Sequence, residues 1–168
     1  ENYEKAIDKF QEYLDKFPNG YFKVNAHYYL ASCANFLDKE QLALTHYEEV
    51  NKMSPNEFVE RSIKAAAILF YNTKNYEKAA QRYRQLEEIA GIRDNILLAL
   101  LGQMRANFYA DNYEKCIEAS DKVINLNYAT NENKIEAHYF KGKSELELKQ
   151  LDNAMTSLQQ VYEQNYGK

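Results

Sequence analysis

The sequence repeats a short motif at an almost constant interval. Residues 2–6 read NYEKA, the same five letters return at residues 75–79, and NYEKC follows at residues 112–116. A catalytic motif is needed once in a chain, whereas a stacking unit is needed several times. Aligned on the small residue that ends each segment, five related positions lie at intervals of 37, 36, 37 and 38 residues: Ala6, Ala43, Ala79, Cys116 and Ala154. The spacing therefore predicts a repeat architecture.

Each repeat predicts two helices. Larger residues, mostly apolar, stand four and seven positions after each anchor, as Tyr83 and Leu86 do after Ala79, and positions with this spacing share one helix face. A second residue, usually small, precedes each anchor by twelve positions and indicates where a preceding helix crosses it closely. These residues are Ala31, Ala67, Met104 and Gly142. With only five Gly and two Pro in the chain, we predict an all-α fold.

The repeat resembles the tetratricopeptide repeat (TPR), which combines a small residue in its first helix with Tyr-x-x-Ala-x-x-x-aromatic in its second, followed by Pro. Tyr3, Ala6, Phe10 and Pro18 match this pattern. The family's Trp is absent, and the period exceeds the usual value of about 34 residues. The resemblance implies a right-handed solenoid, or superhelix, of antiparallel helix pairs. Longer variants resemble bacterial cell-envelope repeat proteins, which favours the periplasm or envelope over the cytoplasm and leaves the compartment open.

We therefore predict one TPR-like domain over residues 1–168, with a half repeat at 1–20 and repeats at about 21–55, 56–91, 92–130 and 131–166. Its nine predicted helices are 2–17, 22–37, 39–53, 57–74, 75–90, 93–110, 112–125, 132–149 and 150–164. The chain begins without Met, so we expect a fragment of a longer array. Repeat arrays need polar caps, and we expect either that the array continues or that the terminal helices self-associate.

The composition and the absence of several sequence motifs disfavour a number of other functions. A net charge of −4 and a pI near 5.5 disfavour nucleic acid as a partner, and no apolar run is long enough to span a bilayer. Cys33 and Cys116 lie too far apart for a CxxC zinc site or a disulfide framework. The sequence lacks HExxH, GxSxG, GxxxxGK and GxGxxG. We expect no enzyme activity, no cofactor and no metal, with His27 and His138 packed between helices.

The resemblance implies that a partner binds in the concave groove, which the first helix of each pair lines. We predict eleven groove residues: Asn25, Tyr28, Asn35, Arg61, Lys64, Tyr71, Arg105, Phe108, Tyr109, Tyr139 and Lys143. All of these except Tyr109, which lies beside them, belong to sixteen predicted groove positions, which together carry four cations and one carboxylate, Glu136. Cations with interleaved aromatic rings suit an acidic or carboxylate-ended peptide. Two alternatives to peptide binding stay open. In the first, the cations are simply solvated and the rings pack across adjacent repeats; in the second, which is less expected, the groove binds a single-stranded nucleic acid.

Three functions follow from this reading. The first is a non-catalytic scaffold that binds a peptide or protein in the groove. The second is an architectural spacer or self-association module of a larger chain, which uses the uncapped terminal helices. The third and least expected is an enzyme fragment. The sequence identifies neither the partner nor the pathway.

Overall fold

The computed structural model describes residues 2–166, and side chains as far as residue 164. This range holds nine α-helices and no strand, and each helix begins and ends within two residues of its predicted bounds. The all-α prediction is confirmed. The helices are α1 (Tyr3–Lys16), α2 (Lys23–Phe36), α3 (Glu40–Lys52), α4 (Val59–Asn72), α5 (Tyr76–Ile89), α6 (Arg93–Tyr109), α7 (Tyr113–Ile124), α8 (Asn131–Glu147) and α9 (Leu151–Tyr166).

The chain forms two compact units, Glu1–Leu69 (unit 1) and Phe70–Lys168 (unit 2), and the division falls inside α4. In unit 1, α2 packs against both α1 and α3. In unit 2, each helix from α5 to α9 packs against the next along the chain, and α6 also contacts α8. Neighbours in sequence are thus neighbours in space within each unit, as a helical repeat requires. The single-domain assignment and its repeat limits stay a prediction.

Small residues allow the paired helices to approach closely. The anchors Ala43, Ala79, Cys116 and Ala154 are completely buried. In unit 2, Cys116 belongs to a core with Met104, Val123 and Phe140, which brings together side chains of α6, α7 and α8. A β-carbon added to Gly102 would lie 2.5 Å from ring carbons of Tyr83. Helix α6 therefore packs on α5 at a distance that only glycine permits at this position.

The two helices of each pair are joined by the same tight turn four times. Its central residue has a positive φ of 54° to 60° and is never glycine: Asp38, Lys74, Asp111 and Lys149. In each turn two backbone N–H groups donate back to the last turn of the first helix, as Asn75 does to Phe70 over 2.8 Å. This is the Schellman arrangement that ends many helices. The sequence period therefore corresponds to a repeated backbone conformation.

Candidate functional site

The eleven predicted groove residues divide between the two units, and each group has its own surroundings. Unit 1 contains Asn25, Tyr28, Asn35, Arg61 and Lys64, and unit 2 contains Tyr71, Arg105, Phe108, Tyr109, Tyr139 and Lys143.

The unit 1 group includes one aromatic residue that is engaged in packing. The Tyr28 ring stacks on Phe58 with 4.4 Å between ring centroids and lies 6.2 Å from Tyr47. Asn35 and Arg61 are exposed, while Asn25, Tyr28 and Lys64 are half-buried. Tyr28 therefore offers a partner only part of its ring surface.

The unit 2 group is built around six aromatic rings that contact one another, and we call them the ring platform: Tyr71, Tyr76, Phe108, Tyr109, Tyr139 and Phe140. Tyr76 stacks on Tyr109 at 5.1 Å, and Tyr71 lies edge-on to both, at 5.4 and 6.3 Å. Phe140 lies edge-on to Phe108 at 5.2 Å. The repeat geometry creates this cluster, because the turn at Lys74 places the start of α5 beside the end of α4.

Two rings of the platform are substantially exposed, Tyr109 to 49% and Tyr139 to 43%. Tyr71 is half-buried, and burial together with the neighbouring Tyr109 raises the pKa of its hydroxyl. The Tyr71 hydroxyl thus stays protonated at neutral pH and can donate a hydrogen bond. Exposed tyrosine rings that are held by neighbouring rings lose little conformational entropy when another molecule covers them.

Arg105 is held by an acidic neighbour. Its Nε and Nη2 atoms donate to the two carboxylate oxygens of Glu136 over 2.5 and 2.6 Å. This two-pronged pair joins α6 to α8, and its hydrogen bond raises the pKa of Arg105 further. The predicted groove includes Arg105 as a cation available to a partner. In the structure Glu136 offsets its charge, although 38% of the Arg105 side chain remains exposed.

Lys143 is the cation that contacts the platform rings. Its ammonium nitrogen lies 5.1 Å from the centroid of the Phe108 ring and 5.6 Å from that of Tyr139. These are cation–π distances. Within the part of the chain that the structure describes, no carboxylate pairs with Lys143. Its charge is therefore available to a carboxylate that approaches the exposed face of Tyr139.

Sequence reasoning missed Tyr76 and Phe140. Tyr76 belongs to the repeated NYEKA motif, and neither Tyr76 nor Phe140 is among the predicted groove residues. The repeat could have identified Tyr76, since a tight turn brings the first residue of the second helix next to the last turn of the first. Phe140 lies in the middle of α8, so the turn does not account for its contact with Phe108. Six of the eleven predicted residues do lie together, all in unit 2.

Two of the three histidines are packed between helices of unit 1, and the third, His138, is half-buried in α8. His27 and His46 are buried in unit 1, and their Nδ1 atoms share a hydrogen bond of 2.8 Å. Burial, with the other ring as a second cause, lowers the pKa of His27 to about 4, and burial also lowers the pKa of His46. Both rings are neutral at pH 7, with one donating to the other. Among the described residues, no group of three His, Cys, Asp or Glu side chains could hold a metal ion.

Solved structures share this fold. MamA from Desulfovibrio magneticus RS-1 is similar over 99% of this chain and 87% of its own, with 20% identity and a TM-score of 0.65. A putative kinesin light chain from Podosopora anserina, described by its nearly identical TPR-like repeats, is similar over 97% and 87%, at 11% identity and TM-score 0.61. A tetratricopeptide repeat protein from Parabacteroides merdae is similar over 99% and 73%, at 14% and 0.54. The TPR-like fold is therefore established.

Sequence comparison adds no further relative, since no family model and no curated protein matches the chain. None of the helices in the described range combines the length and the apolar character that a membrane span requires.

Proposed function

We propose that the protein is a non-catalytic scaffold that binds a segment of a partner protein on the ring platform of unit 2. The observation that carries the proposal is the platform itself, six contacting rings of which Tyr109 and Tyr139 are about half exposed. The TPR-like fold supports it, because such folds present their first helices to partners.

The exposed area of the platform rings shows that a partner must also contact residues outside the ring platform. Covering the exposed halves of Tyr109 and Tyr139 removes roughly 200 Å² from water, since a tyrosine carries about 150–250 Å². At about 25 cal/mol per Å² this contributes about 5 kcal/mol. Association costs about 4–15 kcal/mol in lost motion. The two rings alone therefore cannot hold a partner, and an extended segment that also reaches neighbouring side chains is required.

The charges beside the platform favour a carboxylate in that segment. Lys143 lies against Phe108 and Tyr139 and has no carboxylate partner within the described residues. Arg105 is already paired with Glu136 over 2.5 Å and contributes less. An acidic side chain or a C-terminal carboxylate that binds Lys143, followed by apolar residues on the rings, is the segment that this surface fits best.

Selection of peptides from a displayed random library, followed by calorimetry, tests the proposal. We expect selected peptides to carry apolar or aromatic residues with an acidic group, and Tyr109→Ala with Tyr139→Ala to weaken them by roughly tenfold or more. Lys143→Gln should weaken only the acidic peptides. Tyr21→Ala is the matched control, because Tyr21 is 91% exposed and lies in unit 1. Equal affinity for the double variant and the native protein would refute the platform as the binding surface.

A second candidate function is self-association through α9. Leu151, Met155 and Tyr162 are each about two-thirds exposed on this helix, and of the described helices only α8 packs extensively against it. Met155 and Tyr162 follow Ala154 by one and eight residues. The residues at the same distances from Cys116 in α7 are Ile117 and Ile124, which are half-buried. A second copy could cover the face of α9 in the same way. Sedimentation of native protein and a Met155→Glu variant tests this, and a native monomer at high concentration would exclude it.

A further inference from the structure

A polar slot lies between α5 and α7 in unit 2, with α6 as its floor. Its volume is about 530 Å³, within the range of pockets that bind small groups. Gln103 and Asn107 form the floor. At about 100° per residue they lie on the side of α6 opposite Arg105, so the slot and the ring platform use opposite faces of one helix.

Asn107 presents a side-chain amide to the slot without a hydrogen-bond partner from the described part of the protein. Its residue is only 6% exposed, and within the described part of the chain no group forms a hydrogen bond with its side-chain amide. Its backbone carbonyl is engaged, since it accepts from Asn112 in the tight turn. Its amide atoms are not among the fully buried atoms that lack a partner, so they are open to the solvent of the slot. The Asn107 amide, which lines the slot, is thus available to a group that enters from outside.

Gln103, the other residue of the floor, already has a hydrogen-bond partner. Gln103 donates to one oxygen of Glu87 over 2.7 Å, and Lys122 donates to the other oxygen over 2.9 Å. These three residues join α5, α6 and α7 and fix the slot's width at this end. Asn107 lies one helical turn from Gln103 on α6, beside this braced part of the slot.

The equivalent positions of the other repeats show that the helix pairing does not require this amide. The same turn hydrogen bond identifies them as Ala34, Phe70 and Glu145. Phe70 lies 5.5 Å from the ammonium of Lys78, and a carboxylate oxygen of Glu145 accepts from Ser157 over 2.7 Å. An apolar or an internally paired residue therefore suits this position, and Asn107 is neither.

The charges that line the slot select the kind of group that fits. Its walls carry four carboxylates and three cations: Glu77, Glu87, Glu88, Glu118, Arg84, Lys115 and Lys122. The balance is slightly negative, so an anionic group gains little. A neutral group that both donates and accepts a hydrogen bond can pair with the oxygen and the NH₂ of the Asn107 amide at the same time. A carboxamide has these properties and forms two parallel hydrogen bonds with another carboxamide.

We infer that the slot binds a segment of a partner protein by taking up an asparagine or glutamine side chain, whose carboxamide pairs with that of Asn107. This site is separate from the ring platform and does not depend on it. A partner can therefore contact both faces of α6, or two partners can bind at once.

Nuclear magnetic resonance of the ¹⁵N-labelled protein, titrated with blocked tripeptides Gly-Gln-Gly, Gly-Glu-Gly and Gly-Leu-Gly, tests the inference. We expect the Gln peptide to give saturable shifts at Ala80, Asn107 and Ala119, with the signals of Tyr109 and Tyr139 unmoved. The Glu and Leu peptides should bind the slot at least roughly tenfold more weakly, the effect of one or two lost hydrogen bonds. Equal response to all three peptides, or no saturable response at the slot, would overturn the inference.

Two variants separate recognition from folding. Asn107→Leu should abolish the response to the Gln peptide while the melting temperature stays equal or rises, because the equivalent positions already accept apolar side chains. Asn107→Asp keeps the shape but removes the donor, and it should also abolish the response. A Gln-peptide response that survives both substitutions would overturn the inference. So would a loss of melting temperature in Asn107→Leu, since it would assign Asn107 a structural role. Platform binding is read from separate signals, so either site can fail without the other.

Discussion

Replacing Gly102 with alanine should destabilise unit 2, even though alanine is the better helix former. The added β-carbon would lie 2.5 Å from Cδ1 and Cε1 of Tyr83 and 2.6 Å from Cδ2. Carbon atoms in favourable contact are about 3.5–4.0 Å apart. The ring or the helix must therefore move by roughly 1 Å to reach that distance. Tyr83 is 6% exposed, so its ring has little space into which to move.

The two opposing contributions can be compared. Overpacking a closed core costs about 1–3 kcal/mol, while exchanging glycine for alanine inside a helix gains about 1 kcal/mol. Because the clash involves a whole buried ring and not a flexible end, we take the upper half of the first range. The net loss in free energy of unfolding is then about 1–2 kcal/mol. This corresponds to a decrease of at least about 2 °C in melting temperature for a domain of this size.

Urea unfolding followed by far-ultraviolet circular dichroism measures the change. Gly91→Ala is the control, because a β-carbon there meets nothing within 4 Å, and its stability should be equal or slightly higher. The clash is specific to the ring, so Gly102→Ala should cost less in a Tyr83→Leu background. If Gly102→Ala stabilises the native protein, α5 and α6 do not approach as closely as described, and the positions of both faces of α6 would need revision.

Three further predictions follow from the buried and strained groups. The free energy of unfolding should fall by roughly 2–3 kcal/mol between pH 6.5 and 4, because unfolded His27 binds a proton in this window, whereas burial lowers the pKa of the folded residue to about 4. Burial also lowers the pKa of His46, which adds to the fall. The His27→Leu/His46→Leu variant should show a clearly smaller fall, part of which comes from His138, whose pKa burial also lowers; an identical pH profile would contradict the prediction. Lys74→Gly should raise the free energy of unfolding in urea by about 0.5–1 kcal/mol, since Lys74 has a φ of 60° that glycine adopts more easily. A lower free energy of unfolding would show that contacts of the Lys74 side chain outweigh this backbone effect. Native protein should be alkylated at half-buried Cys33 well before buried Cys116. Burial raises the pKa of both thiols, so access decides the order, and mass spectrometry showing the reverse order would contradict the packing of α7.

The repeat period made the helices predictable almost to the residue. Anchors such as Ala79 and Cys116 are completely buried, as the spacing requires. The tight turns were less predictable, because their positive φ falls on lysine and aspartate and not on the glycine that usually marks it. Only the recurrence of the turn at one place in each repeat identifies it, and the tertiary packing of the paired helices holds a residue such as Lys74 in that conformation.

The site was predictable in its location but not in its electrostatics. Tyr109 and Tyr139 were predicted as binding residues and are exposed, although their role stays a prediction. Arg105 was counted as an available cation, yet Glu136 accepts two hydrogen bonds from it across 31 residues of sequence. Counting charges along each helix cannot reveal this pair, because it depends on the spacing between α6 and α8. Asn107 was not identified at all, since the sequence does not show that its amide lines a slot between α5 and α7.

The exposed tyrosines provide the most direct test that a partner binds to the ring platform. Hydroxyl-radical labelling with mass spectrometry, performed with and without a saturating selected peptide, measures the reaction rate of each ring. We predict that Tyr109 and Tyr139 become several-fold slower to label, while Tyr21, 91% exposed in unit 1, labels at an unchanged rate. Unchanged labelling of Tyr109 and Tyr139 at saturation would contradict the account and place the partner elsewhere on the protein.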